Sequence, residues 1–461
     1  MQRREIDLGP VLENRRVGFF QVLTLAFGFL VLFVDGLDYS AINVGAPAIL
    51  RAFHAERSAM GLVFGWGYAG IFVGSVLFGW IGDKFGRKPG LVFGVLAYSV
   101  PAIFTMFAGS LDELTVWRFL AGIGIGGVVP NTIALLTETA PRRLRVTFVM
   151  IAFVGYSLGN ASIAQVAARF IPAYGWPVVF LVAGTIGLVL SIVLAFALPE
   201  SIPFLAIAKP DSPKLRRLAA RAAPELALGP DDRIVILRPA RETHFSLRLL
   251  FDSYRRIATP LLWIAFFAES LTFMTLSAWL AVILESAGLP PKDAALTFSY
   301  GAVGAMIAIL AFGRLIDRFG PKAGAVSGTI AVATIVYLGT PGLTPAVIAM
   351  VAIVAQASAS ATHQSLNGIV GGFYPTVIRG NGVGYATGMG RVAAILGPVI
   401  VGYLMAAKVP LREVLVFIAA PDLVVAGACV ALDVLKRKPT ASVDFASAAP
   451  VQAKEQFAKS Y

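Results

Sequence analysis

A single cysteine, Cys429, and only three histidines, His54, His244 and His363, stand in 461 residues. One thiol excludes any intrachain disulfide framework or cysteine-based metal cluster, and Cys429 lies inside an apolar run, where cysteine is ordinary packing. The histidines are far apart and form no HExxH pattern. With no nucleophile-elbow string either, metal-assisted or serine-based hydrolysis has no foothold, and no enzyme, metal or organic cofactor is expected. Charge is scarce as well. Charged residues make up 14% of the chain against 57% hydrophobic, and the mean hydropathy is +0.78. That balance excludes a soluble globular chain and leaves an all-α polytopic membrane protein.

Apolar stretches of the length that crosses hydrocarbon, about 20 residues, fall near 19–42, 59–81, 90–109, 115–137, 146–168 and 177–198. Six more follow near 259–285, 293–313, 323–340, 344–368, 382–406 and 412–434. Twelve transmembrane helices in two six-helix bundles are therefore expected: residues 1–198, a polar central linker 199–258 with short helices, a second bundle 259–434, and a tail 435–461. Arg3, Arg4, Arg15 and Arg16 precede a first span too long and too interrupted by polar residues for a cleavable signal.

A net charge of +12 could suggest nucleic acid, but the basic residues do not form one patch. With a cytoplasmic N-terminus, 30 of the 38 Lys and Arg fall on the cytoplasmic side, and 6 fall outside: Arg51, Arg57, Arg169, Lys292, Lys408 and Arg412. The positive-inside rule then puts both termini and the linker in the cytoplasm. Topology accounts for the charge, no nucleic-acid partner is expected, and Lys436, Arg437 and Lys438 can also meet anionic lipid headgroups.

The segment GWIGDKFGRKPG, residues 79–90, returns 234 residues later as GRLIDRFGPKAG, residues 313–324. Pro141 and Arg145 answer Pro375 and Arg379 at the same offset. Two motifs in one register mean two similar halves. In each copy the glycines, such as Gly79, Gly82 and Gly86, allow close helix approach and a tight turn. Asp83, repeated as Asp317, can cap or pair with a neighbouring helix end, while Lys84, Arg87 and Lys88 offer cations. A gating latch is expected there. Glu138, at the end of span 4, is a candidate gate partner for Arg142, Arg143 or Arg145.

Ionisable residues inside spans are costly, and each is a functional candidate. Asp35 and Asp38, three apart in span 1, share one helical face. Two carboxylates so close in low dielectric resist being ionised together, so the pair is expected to hold a proton; the alternative is a structural pair at the Gly36 irregularity. Arg118 in span 4 either takes part in proton movement or locks helices by an ion pair. Arg391 in span 11 has no acid in its own helix. It awaits an anion from another span or from substrate, whose carboxylate a guanidinium can grip with two parallel hydrogen bonds. Glu269 in span 7 and His363 in span 10 can couple to each other or to substrate, and Asp422, after Pro421 in span 12, reads as part of a local kink.

The doubled GxxxDxxG loop within twelve spans resembles the major facilitator superfamily. Its implied fold is two pseudo-symmetric six-helix bundles that rock about a central site. The strings DGLDYSAINVGAPAI, GIGIGGVVPNTIALLTETAPRRLR, WLAVILESAGL and SLNGIVGGFYPTVIRGNGVGYATGMGR look like the aromatic acid:proton symporters of that superfamily. The resemblance implies a monomeric carrier of the bacterial inner membrane. It would import benzoate-like or hydroxybenzoate-like anions with protons, using the proton gradient as driving force. Asp35, Asp38, Glu138 and Arg391 match positions important in the family, and Asn131 and Asn367 are implied polar contacts in the cavity. Glu269 and His363 depart from it, standing where the family has Asn and Gln.

The expected mechanism loads a proton on Asp35 and Asp38. The substrate carboxylate pairs with Arg391 and its ring lies against Tyr39, Tyr156, Phe273 or Tyr385. A carrier of another organic anion, a drug:proton exporter and a non-transporting sensor remain open alternatives, although span 5, GYSLGNASIA, lacks the Gly-Pro pair associated with antiporters.

Overall fold

The computed structural model describes residues 5–14, 17–208, 210–222, 232–235, 247–252, 255–374 and 378–437. Twelve long helices carry the fold. The first six are α1 (Phe19–Ala52), α2 (Arg57–Phe85), α3 (Arg87–Thr105), α4 (Leu111–Thr139), α5 (Arg145–Tyr174) and α6 (Pro177–Ala197). The second six are α7 (Arg255–Ser286), α8 (Pro291–Phe319), α9 (Lys322–Leu338), α10 (Pro345–Phe373), α11 (Arg379–Ala406) and α12 (Leu411–Arg437). Eleven are long and apolar enough to cross a membrane. The other, α9, is apolar but 17 residues long, about 26 Å at 1.5 Å per residue, slightly less than the roughly 30 Å hydrocarbon core. Several helices outrun their apolar windows: α1 continues through Pro47 to Ala52, and most of the residues from Asn43 to Ile49 are buried against other helices.

Packing repeats helix for helix. In the first half α1 lies on α5, α2 on α4, and α3 on both α4 and α6; in the second, α7 lies on α11, α8 on α10, and α9 on both α10 and α12. The halves meet through α2 with α11, α5 with α8, and α1 with α7. Asn43 Nδ2 donates to Ser277 Oγ at 3.5 Å, and Arg51 pairs with Glu285. Both pairs are separated by 234 residues, the repeat offset. Residues related by a pseudo-two-fold can touch one another only beside its axis, so α1 and α7 flank that axis.

The bundles close on the face opposite the described chain ends, called here the far face; the other is the terminal face. At the far face Gly61 of α2 abuts α11 so tightly that a Cβ there would sit 2.9 Å from the Pro398 carbonyl oxygen. Trp279 donates to that same carbonyl at 3.0 Å and meets Phe64 of the other bundle edge-on, 5.3 Å between centroids. Gln165 Nε2 donates to Ser299 Oγ at 3.0 Å. Among the described residues, the inter-bundle hydrogen bond nearest the terminal face joins Arg391 to Ser75, close to the middle of both helices.

On the terminal face, short helices Ile202–Ala208 and Pro213–Ala222 follow α6. An unforeseen element joins them. Strand β1 (Glu5–Asp7) pairs in parallel with β2 (Arg233–Val235), Glu5 opposite Arg233. Leu8, Phe20, Ile202, Leu205, Leu215, Leu218 and Ile234 form a small separate core beneath this pair, pinning the linker to the start of the chain.

Candidate functional site

Charged side chains converge at mid-depth in both bundles. In the first, Arg118 of α4 reaches Asp38 of α1: Nη2 donates to Oδ2 at 3.1 Å, and both side chains are buried. The guanidinium also lies 5.1 Å from the centre of the Phe180 ring, a favourable seat for a cation out of water. Gly36 sets the depth of this arrangement. A Cβ there would fall 2.2 Å from the Tyr156 carbonyl oxygen, so only glycine lets α1 press this closely on α5. The expected acid–acid pair is thus divided. Asp38 has the arginine, while Asp35, 1% exposed, has no cation among the described residues and an Oδ1 without a hydrogen bond.

Beside Asp38 and Arg118 lies a cavity of about 40 Å³, lined also by Tyr39, Asn43, Phe64 and Tyr68. It has room for about two or three waters and none for an aromatic ring. The Tyr39 and Tyr68 hydroxyls are 3.1 Å apart, Tyr39 donates to Met274 Sδ at 3.2 Å, and its ring lies 5.9 Å from that of Tyr156. Tyr39 and Tyr156 therefore belong to the central cluster. Tyr385 does not: it stacks on Trp263, 6.0 Å between centroids, about two turns from Arg391 toward the terminal end of α11.

In the second bundle Glu269 and His363 do couple, Nδ1 to Oε2 at 2.7 Å, and Phe273 stacks on the imidazole at 4.8 Å and 18°. Glu269 is 1% exposed, with Oε1 unpartnered. It lies behind His363, which keeps 23% of its side chain accessible. Asn367, one turn along α10, is exposed and donates to the His363 carbonyl at 3.1 Å. Asp422 is buried within an unbroken α12, and neither of its oxygens accepts a hydrogen bond; the nearby Thr272 hydroxyl is turned to the Ile418 carbonyl at 2.8 Å. Arg391 donates to the Ser75 hydroxyl, and among the described residues no carboxylate lies within ion-pair reach of it.

Two sequence expectations are corrected by packing. Asn131 is not a cavity contact: Nδ2 donates to the Phe78 and Gly127 carbonyls, both at 2.9 Å, and Oδ1 fills the space over Gly82, where a Cβ would lie 1.8 Å away. It is a clasp between α4 and α2. Gly79, expected to admit a neighbouring helix, faces open space, with nothing within 4 Å of a Cβ placed there.

The terminal-face loop of the first half is latched, with partners other than those expected. Gly86 turns the chain at φ +115°, a conformation that favours glycine. It delivers Arg87 between Asp83, 2.7 Å, and Glu138, 3.2 Å. Glu138 also accepts from the Ser201 hydroxyl. Arg142 is exposed in a single 3₁₀ turn, and Arg145 pairs instead with Glu13 at 2.8 Å. Glu200 Oε1 accepts from the backbone of Lys88 at 3.1 Å and of Ser201 at 2.9 Å; burial pushes its carboxyl above the usual range, and these donors pull it back. In the second half the side chains of Asp317 and Arg379 lie outside the described residues, and Lys322 meets Asp433 at 3.6 Å.

A model of the Major Facilitator Superfamily matches residues 28–398, with a second match over 262–459. The chain is 30% identical over 404 residues to a 4-hydroxybenzoate transporter of Acinetobacter baylyi, covering 86% of this chain and 87% of that one. It is 30% identical to a gallate transporter of Pseudomonas putida, with 87% and 89% covered. Against a 3-(3-hydroxy-phenyl)propionate transporter of Escherichia coli it is 31% identical, with 89% and 93% covered. In fold it is similar to a bacterial homolog of the human lysosomal transporter Spinster in an inward-facing and unoccupied conformation. That likeness has a TM-score of 0.68 at 16% identity, over 92% of this chain and 98% of the other. With relatives aligned along most of their length, and one repeat written into both sequence and packing, the chain belongs to the major facilitator superfamily: it is a membrane transporter, not an enzyme.

Proposed function

We propose that the protein imports an aromatic carboxylate such as benzoate or a hydroxybenzoate together with protons, by alternating access. On this reading it sits in the bacterial inner membrane as a monomer, with its terminal face in the cytoplasm, as the 30 of 38 basic residues on that side favour. The described conformation, closed at the far face, is then the inward-facing one.

One observation carries the reading. Arg391 is a half-buried cation at mid-depth, at the seam of the two bundles, and its partner is a hydroxyl rather than a carboxylate. A cation so placed needs an anion to be at ease, and the carboxylate of an incoming substrate supplies one. The proton sites are Asp35 and the Asp38–Arg118 pair. In the outward-facing state Asp35 takes a proton, the carboxylate pairs with Arg391, and the ring settles against Tyr39, Tyr156 and Phe273. Neutralised charge lowers the barrier to occlusion, and the bundles then rock while the terminal-face loops of the two halves release and reform their contacts. At the higher cytoplasmic pH the proton leaves and the acid follows. The ligand shifts the population only by its differential affinity for the two faces.

The test is uptake into proteoliposomes of a radiolabelled panel at two external pH values: benzoate, 4-hydroxybenzoate, gallate and aliphatic acids of similar size. The proposal expects aromatic acids to accumulate faster at the lower external pH. Preference for aliphatic acids, or efflux in place of uptake, would refute it.

A further inference from the structure

The repeat that relates the halves also relates their buried carboxyl groups. At the offset of 234, Asp35 of α1 corresponds to Glu269 of α7, and Tyr39 to Phe273. At mid-depth each bundle buries two acids of which one meets a cation: Asp35 and Asp38 with Arg118 in the first, Glu269 and Asp422 with His363 in the second, where Arg391 is turned to Ser75. Neither set is neutral if both acids are ionised, and a dry interior holds unpaired charge at high cost. The first cation is a guanidinium that never releases its proton. The second is an imidazole that can.

We propose that the second bundle holds its own proton-binding site, Glu269, loaded through the accessible edge of His363, so that a second proton crosses with each substrate. The proposal rests on the proton-coupled reading above and deepens it. The geometry supplies a route. His363 is accessible on one side, its Nε2 makes no hydrogen bond among the described residues, and its Nδ1 meets Glu269 Oε2 at 2.7 Å. A proton taken up at Nε2 and another passed from Nδ1 to Oε2 leaves a neutral imidazole and a protonated carboxyl; discharge runs the same steps backwards. Phe273, stacked on the ring, holds the imidazole in this relay plane. The charged neighbours are few. From α12 comes Asp422, and from α11 Arg391, next to Gly390, which packs on Ser270. Asp38 of α1 is turned to Arg118. The charged residues of α8 (Lys292, Asp293, Arg314, Asp317, Arg318) and Lys322 of α9 lie at helix ends. Among the described residues only His363 lies within ion-pair reach of Glu269.

A substrate-independent arm tests the site. Infrared difference spectra of the purified protein between acid and alkaline pH should contain a protonated-carboxyl band that Asp38→Asn retains, Glu269→Gln removes and Glu269→Asp shifts. A spectrum unchanged by Glu269→Gln overturns the proposal, whatever the uptake panel gives. The second arm reads charge movement with radiolabelled 4-hydroxybenzoate in proteoliposomes. Two protons with one anion carry net positive charge inward, so an inside-negative potential at zero pH gradient should raise accumulation up to roughly fiftyfold per 100 mV, the equivalent of about 2.3 kcal/mol per charge. In Glu269→Gln, and in His363→Gln, whatever uptake a pH gradient drives should no longer respond to potential. A potential response that persists in both variants overturns the second proton. A wild-type protein blind to potential but driven by a pH gradient overturns it too, and leaves the single-proton reading intact.

Discussion

At the scale of single residues, the account turns on which buried charge has a partner. Arg391 has a hydroxyl, Asp38 an arginine, and Asp35, among the described residues, no cation. Arg391→Gln removes the bidentate donor and keeps the volume. Losing a charge-assisted hydrogen bond of about 1.5–3 kcal/mol should raise KM for the transported acid roughly 10- to 100-fold in an uptake assay, and a KM within a factor of two of wild type would remove Arg391 from the site. The positions of these charges were legible in the sequence because hydrocarbon makes any ionisable residue conspicuous. Their pairings were not. Asp38 and Arg118 are 80 residues apart, and only the folded packing of α1 on α4 makes arginine, rather than Asp35, the neighbour of Asp38. Asn131 was misread for the same reason: an amide in a span is as much at home clasping two backbones as facing a cavity, and the glycines that decide the matter lie on other helices.

Among elements, the latch of the first half joins loop, helix ends and linker in one network: Gly86, Arg87, Asp83, Glu138, Glu200 and Ser201. Gly86→Ala should strain it twice, through the positive φ and through a Cβ placed 2.4 Å from Glu200 Oε2. Strain of about 1–3 kcal/mol should lower Tm by several degrees and speed proteolysis within the linker; an unchanged Tm and cleavage rate would mean that linker and loop are not coupled. The loop itself announced its importance by occurring twice. Its partner Glu138 lies 51 residues from Arg87, and the nearer arginines at 142, 143 and 145 drew attention away from it. The β1–β2 pair could not be read at all. Three residues carry no periodicity, and the strands are joined across the whole first bundle.

For the whole molecule, the twelve-helix plan followed from hydropathy and from one offset of 234 residues, and that same offset reappears as contacts across the pseudo-two-fold. Asn43→Cys with Ser277→Cys, in a Cys429→Ser background, should cross-link on oxidation, hold the far face shut and stop uptake, with full recovery on reduction. Uptake undiminished by the cross-link would mean that the far face does not open during transport. The central claim is that buried carboxyl groups in α1 couple the proton gradient to an aromatic acid. It is tested most directly by loading proteoliposomes with alkaline buffer, diluting them into acidic buffer with radiolabelled 4-hydroxybenzoate, and comparing wild type with Asp38→Asn. The account predicts transient accumulation above equilibrium in the wild type and none in Asp38→Asn, with exchange at zero gradient confirming that the variant is folded; accumulation by Asp38→Asn equal to that of wild type would contradict it.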